Sequence, residues 1–251
     1  MYNLDKLYDL REKTPKIIKT LFPKILKRKI NKKFFRYYFI STSLTKLPNS
    51  NYQDERNIKY QISLVEKFKK IKKQSSFMSC PHLMPLLLMK YKTDDNFSFL
   101  DVGGEKIDFY LELKKNFKNV NYYIFNLKAV NEIFRELKHK FDFKDLQVID
   151  DIKEIFNQNF DFVNFGSCIQ YFGEYENILY KIVNNSESVF FSGTTLYNSP
   201  DVKLEKHFIV KQVNVLPKIN YLYFFNKKHF YEIFTQKDFN LVFENTNFTD
   251  N

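Results

Sequence analysis

The chain has 251 residues, 44% of them hydrophobic and 18% aromatic, enough to bury one sizeable core or one core with an added segment. Its two cysteines, Cys80 and Cys168, lie far apart and form neither a metal-ligand spacing nor a disulfide framework, the usage of a reduced compartment. The net charge of +11 is concentrated at the start, where residues 1–40 hold twelve Lys/Arg against three Asp/Glu and leave a surplus of only two for the rest.

Residues 1–50 read as a basic helical arm, with Leu4, Leu7, Leu10, Ile17, Ile18 and Leu21 at mixed helical spacing and Pro15 and Pro23 near starts or breaks. Three readings of the arm stay open: a solvated basic helix, a dock for an anionic membrane surface, or a dock for an acidic partner. A nucleic-acid binder would carry its basic stripe on the folded domain, so a nucleic-acid partner is not expected. The first residues carry charges and no apolar signal core, and the apolar cluster Leu83–Met89 is too short to span a bilayer, so a cytoplasmic protein is expected. Polar residues and Pro48 make 41–51 a linker.

Residues 51–95 read as a helical cap segment. Ile58, Ile62, Val65, Phe68 and Ile71 follow a helical period over 55–73, and a second helix is predicted over 83–91. The pattern then changes. Strands at 97–102, 120–125, 146–149, 160–165 and 188–192 alternate with helices at 107–117, 130–138, 152–156 and 175–183. That alternation argues for an α/β fold, a parallel sheet with helices on both faces. Strands at 207–215 and 219–225, a helix at 227–235 and a last strand at 240–244 close the chain. A hairpin of the final strands on the sheet edge would make a seven-stranded, Rossmann-like arrangement over 96–251.

Two of the five glycines, Gly103 and Gly104, stand together after the strand that ends in Asp101. Glycine lets the backbone turn sharply and lets a ligand come close. A strand, a glycine turn and a helix N-terminus together form a site suited to a nucleotide-like ligand.

Phe-Leu-Asp-Val-Gly-Gly (99–104), Tyr-Tyr-Ile-Phe-Asn-Leu-Lys-Ala-Val (122–130), Phe-Asp-Phe-Val-Asn-Phe-Gly-Ser-Cys-Ile-Gln-Tyr-Phe (160–172) and Tyr-Phe-Phe-Asn-Lys-Lys-His-Phe (223–230) occur in that order. The set resembles the class I S-adenosylmethionine-dependent methyltransferases, more narrowly a methyltransferase family of bacterial surface-polysaccharide (capsule) gene clusters, over about residues 51–244. The resemblance implies S-adenosyl-L-methionine as cofactor. Asp101, Gly103 and Gly104 would pack on its methionine part, where a Cβ would collide with the ligand. Glu105 and Ile107 stand where the wider superfamily prefers glycine, and Glu105 would either contact the ammonium or occlude the pocket. Asn126, followed by Leu127, takes the place of the ribose-binding carboxylate, and an amide can accept one ribose hydrogen bond and donate the other. Asp150, Asp151 and Ile152 match the segment that receives the adenine amino group and covers the ring, although an Asp there also suits an N-cap. Ser167, Gln170 and Tyr171 lie in the loop over the methyl donor.

Methyl transfer to a hydroxyl needs positioning and a proton acceptor within hydrogen-bond reach. His207, after the fifth strand, is the first candidate, with Glu174 and Tyr171 as rivals. By resemblance the acceptor is a small molecule or glycan precursor, a sugar or a modified-sugar or phosphoryl-type group of a surface polysaccharide. The alternative is a degenerate methyltransferase fold that serves as an interaction module. No metal site is expected.

Overall fold

The computed structural model describes residues 36–41, 47, 58–70, 83–92, 94–198, 206–213 and 219–245. The expected helices and membrane dock of residues 1–35, most of the 41–51 linker, and Cys80 and His82 lie outside the described residues. The structure divides into two compact units that follow its two sheets rather than chain order.

The larger unit is built on five parallel strands: β2 (Asn96–Val102), β3 (Asn119–Phe125), β4 (Leu146–Ile149), β5 (Phe160–Gly166) and β6 (Ser186–Ser192). Their order is β4-β3-β2-β5-β6, every pair parallel. Counted within this sheet the order is 3-2-1-4-5, that of doubly wound nucleotide-binding folds, and the order reverses between β2 and β5. Central strands of such sheets are buried on both faces. Accordingly Phe97, Phe99, Leu100 and Val102 of β2 are all buried. Direct register partners set Phe99 beside Tyr122 and Phe162, and its ring stacks on both at 5.5 Å.

Helices α3 (Asp108–Asn116), α4 (Lys128–Phe141) and α5 (Tyr175–Asn184) follow their strands. Each buries a helical stripe, such as Val130, Phe134 and Leu137 of α4. That helix ends where Asp142 turns left-handed (φ 54°, ψ 48°) and its N–H reaches back to the Lys138 carbonyl. The earlier helices α1 (Ile58–Lys70) and α2 (Leu83–Lys90), read from sequence as a helical cap segment, send Val65, Leu83, Met84 and Leu87 into the same core cluster. Helix α6 (Lys227–Thr235) completes this unit, with Phe230 and Phe234 edge-on to Phe191 at 5.2 Å each. Among the described residues no helix is long and apolar enough to cross a membrane.

The smaller unit holds β1 (Arg36–Ser41), β7 (Leu196–Tyr197), β8 (His207–Val213) and β9 (Ile219–Asn226) with Gln170–Gly173. The order is β1-β8-β9-β7; β8 pairs antiparallel with both β1 and β9, and β7 pairs parallel with β9.

Three expectations are corrected. The β8–β9 hairpin forms, but its partners are β1 and β7 in a four-stranded sheet, so among the described residues the parallel sheet has five strands and not seven. Residues 36–40, read as part of a helical arm, form a strand, because Arg-Tyr-Tyr-Phe-Ile-Ser is an aromatic, β-branched run with a partner in β8. Residues 240–244 are not a strand. Leu241, Val242 and Phe243 are exposed, and strand propensity counts only where a partner and a buried face exist.

Candidate functional site

In open α/β sheets ligands bind beyond the carboxyl ends of the strands, where the order reverses. Here that crevice is framed by the turn after β2 (Val102–Ile107) and the loop after β5 (Gly166–Cys168). The two are locked together: Cys168 donates its thiol to the Val102 carbonyl at 3.1 Å. Gly103 has φ +80°, and a Cβ there would lie 2.5 Å from the Cβ of Cys168. Gly104 faces the other way; a Cβ there would lie 2.6 Å from the carboxyl carbon of Asp101. Sequence reasoning attributed both glycines to an approaching ligand. The packing of Cys168 and Asp101 already requires them.

Asp101 is buried beneath this turn. Tyr122 donates to one of its oxygens, and Asn164, its register neighbour on β5, donates Nδ2 to the other at 2.7 Å. Burial pushes the Asp101 carboxyl up to about 6, against these two hydrogen bonds, which lower it. The same burial, and the Asp101 charge beside it, push the Tyr122 phenol well above its usual range. Burial likewise raises the Cys168 thiol well above normal, which fits a packing residue and not a nucleophile. Oδ1 of Asn164 is buried with no hydrogen-bond partner among the described residues, and a buried polar atom in that condition is a candidate for a ligand contact.

At the end of β3, Asn126 braces the turn. Its Nδ2 donates to the Gly104 carbonyl at 2.5 Å, and its Oδ1 accepts the Leu127 N–H at 2.7 Å. Each polar atom of the amide thus makes one bond to the backbone. Asn131, buried on α4, accepts the Asn126 N–H at 3.1 Å and donates to the Ile149 carbonyl at 2.7 Å, tying the ends of β3 and β4 together. Leu127 is 54% exposed and Ile152 half-buried, leaving two apolar side chains at neighbouring strand ends.

The acidic pair after β4 divides its roles. Asp150 is exposed and paired with Arg135, whose guanidinium holds the carboxyl below the usual range. Asp151 caps a 3₁₀ turn (Ile152–Ile155): its carboxylate accepts the Lys153 N–H at 2.9 Å, and Glu154 accepts the Asp151 N–H at 3.0 Å. Ser167 takes a left-handed φ of 53° and donates its N–H to the Ser192 carbonyl at 2.8 Å. Glu105, directly after the glycines, is exposed, and its carbonyl accepts from Gln61 of α1.

The candidate proton acceptors are divided between the two units. Glu174 is exposed at the start of α5 in the larger unit. Gln170, Tyr171 and His207 belong to the smaller unit, where Gln170 is buried, Tyr171 donates to Gln212 at 3.1 Å, and the His207 ring lies edge-on to Tyr223 at 4.4 Å. Among the described residues no group of three His, Cys, Asp or Glu could hold a metal ion. A separate cavity of about 820 Å³ opens at the opposite, amino end of β2 and β3, lined by Asn96, Asn119, Lys114, Lys118, Lys144 and Asp145.

Sequence reasoning did not single out Gln61, Tyr122, Asn131 or Asn164. The available signal was a polar residue inside an apolar stripe, as with Gln61 between Ile58 and Val65 or Asn131 between Val130 and Phe134.

No family model and no curated protein matches the chain. Among solved structures, the chain is similar to the N-terminal domain of EvdMO1 crystallised with SAH and D-fucose, at 13% identity over 75% of this chain and 88% of that one, TM-score 0.46. It is also similar to precorrin-6y C5,15-methyltransferase from Geobacter metallireducens GS-15, at 14% identity, 49% and 68% coverage, and TM-score 0.36. An O-methyltransferase family protein from Burkholderia thailandensis matches at 11% identity over 59% of this chain and 42% of that one, TM-score 0.36.

Proposed function

We propose that the protein is an S-adenosylmethionine-dependent O-methyltransferase whose cofactor site is the crevice between β2 and β5. One observation carries the reading: a glycine turn, a buried strand-end carboxyl and a buried, unpartnered acceptor meet where the parallel sheet reverses its order. The residues fit the group. Asn164 Oδ1 and the Asp101 carboxyl offer acceptors suited to the cofactor's ammonium. Leu127 and Ile152 offer apolar cover for the adenine, and Asp150, ionised by Arg135, offers an acceptor for its amino group. Asn126 keeps one amide hydrogen and one lone pair beyond its backbone bonds for the ribose.

The cofactor supplies a methyl group activated by the adjacent sulfonium. The chain's part is to hold the acceptor oxygen in line and to take its proton. We assign the proton to His207, with Glu174 and Tyr171 as the other candidates. The acceptor follows the sequence resemblance: a sugar or phosphoryl-type group of a surface-polysaccharide precursor, handled in the cytoplasm, with the basic arm near an anionic membrane or acidic partner.

A second reading, a degenerate fold serving as an interaction module, is favoured by Asn126, whose amide already serves the backbone. Calorimetric titration with S-adenosylhomocysteine separates the two. Saturable one-to-one binding is expected, and no heat at about 1 mM ligand, where even weak complexes of about −4 kcal/mol form, would sink the enzyme reading.

A further inference from the structure

We infer that Gln61 is a positioning residue for the candidate cofactor turn, set there from a helix outside the sheet; the inference rests on the methyl-donor reading above. Gln61 lies on α1 at a core-facing position, in register with Ile58 and Val65, and is 1% exposed. A buried amide in an apolar stripe is destabilising unless both its polar ends are bonded. Here both are: Nε2 donates to the Glu105 carbonyl at 3.0 Å, and Oε1 accepts the Ile107 N–H at 3.1 Å.

Both are backbone groups of the turn between β2 and α3. Gly103 donates its N–H to the Phe125 carbonyl at 2.8 Å, and the Ile107 carbonyl already takes the Leu111 N–H at 3.1 Å. Ile107 precedes the first residue of α3, so its N–H has no partner within the helix. Asn126 holds the Gly104 carbonyl from the β3 side. Together Asn126 and Gln61 grip three backbone groups, at Gly104, Glu105 and Ile107, of a turn that lacks the flexibility of a longer glycine run.

Glu105, which follows the glycines directly, is exposed while its carbonyl is held by Gln61. The orientation of the 105–107 backbone is therefore set by α1. Sequence reasoning posed Glu105 as either contacting or occluding the pocket. On this geometry Gln61 holds the backbone that carries Glu105, and α1 takes part in the site.

The test uses the full chain with Gln61→Met, which keeps length and apolar shape but removes both bonds, and Gln61→Glu, which keeps only the acceptor for Ile107. Two readouts are taken: S-adenosylhomocysteine affinity by calorimetry, and amide hydrogen exchange at Ile107. We expect Gln61→Met to weaken binding by about tenfold or more and to speed exchange at Ile107, with Gln61→Glu intermediate in exchange. If wild type binds and Gln61→Met binds equally well, the inference is overturned. If wild type itself does not bind, the methyl-donor reading fails. In that event unchanged exchange at Ile107 in Gln61→Met removes the grip on the turn as well, and faster exchange leaves the grip without a cofactor to position. Should Gln61→Met not fold, Gln61→Glu alone decides, since equal affinity and equal exchange overturn the inference.

Discussion

Replacing Asn126 by aspartate restores the acidic residue that the resemblance leads one to expect at the end of the second strand, and the structure says it should do harm. Nδ2 of Asn126 sits 2.5 Å from the Gly104 carbonyl, so a carboxylate oxygen in its place would face another oxygen with no proton between them. The lost hydrogen bond is worth about 1 kcal/mol net, and leaving the carbonyl unsatisfied adds about 1–3 kcal/mol where water is excluded. Asn126 is half-buried, so partial hydration trims the sum to about 2 kcal/mol. At roughly 2–4 °C per kcal/mol for a chain of this size, the variant should melt about 4–8 °C below wild type. Asn126→Ala, which loses the same bond without the repulsion, should melt no lower than Asn126→Asp. Thermal melting by circular dichroism at pH 7.5 is sufficient. A variant that melts with wild type while binding S-adenosylhomocysteine more tightly would refute the brace and return Asn126 to the ribose.

Further expectations concern the same turn and its neighbours. Gly104→Ala drives a Cβ into the Asp101 carboxyl and should destabilise by about 1–3 kcal/mol as an overpacked site, measured by urea unfolding. Gly103→Ala should do at least as much, and Cys168→Ala should not rescue it, because the clash is with the Cβ of Cys168 and φ is +80°. The Asp101 carboxyl is raised to about 6 in the folded chain, so its stabilising contribution is complete below the unfolded value near 3.8 and is lost as pH rises through 6. Wild type should therefore lose up to about 3 kcal/mol relative to Asp101→Asn between pH 4 and pH 8, read as the change in their melting difference; a constant difference would contradict the buried carboxyl. Arg135→Gln should let the Asp150 carboxyl titrate closer to the usual range, followed by NMR, with little change in melting temperature because the pair is exposed.

The parallel sheet was legible in the sequence because its signals are local. Each strand is a short apolar run, β2, β3 and β5 are each followed by a helical stripe, and the five observed strands begin and end within about two residues of their predicted bounds. Sheet membership was not legible. Pairing of Arg36–Ser41 with β8 joins residues about 170 apart, and no pattern within a strand names its partner. The lysine-rich surroundings also hid the aromatic run at Tyr37–Ile40. Leu241-Val242-Phe243 misled in the opposite sense, with strand propensity but exposed side chains.

The site was legible as positions, not as contacts. Asp101, the two glycines and Asn126 were found where the turn lies, yet the partners that explain them are Cys168, Tyr122, Asn164 and Gly104. Gln61 stands 44 residues before Glu105, a distance over which sequence offers no pairing signal. What it did offer was an amide on an apolar stripe, and Asn131 on α4 gave the same sign.

The central claim, that the methyl donor binds where the sheet reverses its order, is tested most directly by NMR mapping of isotope-labelled full-length protein with S-adenosylhomocysteine. Shifts should concentrate at the amides of Gly103, Gly104, Leu127 and Ser167. Shifts confined to Lys114, Asn119 and Lys144, around the cavity at the opposite end of the strands, or no shifts at all, would contradict it.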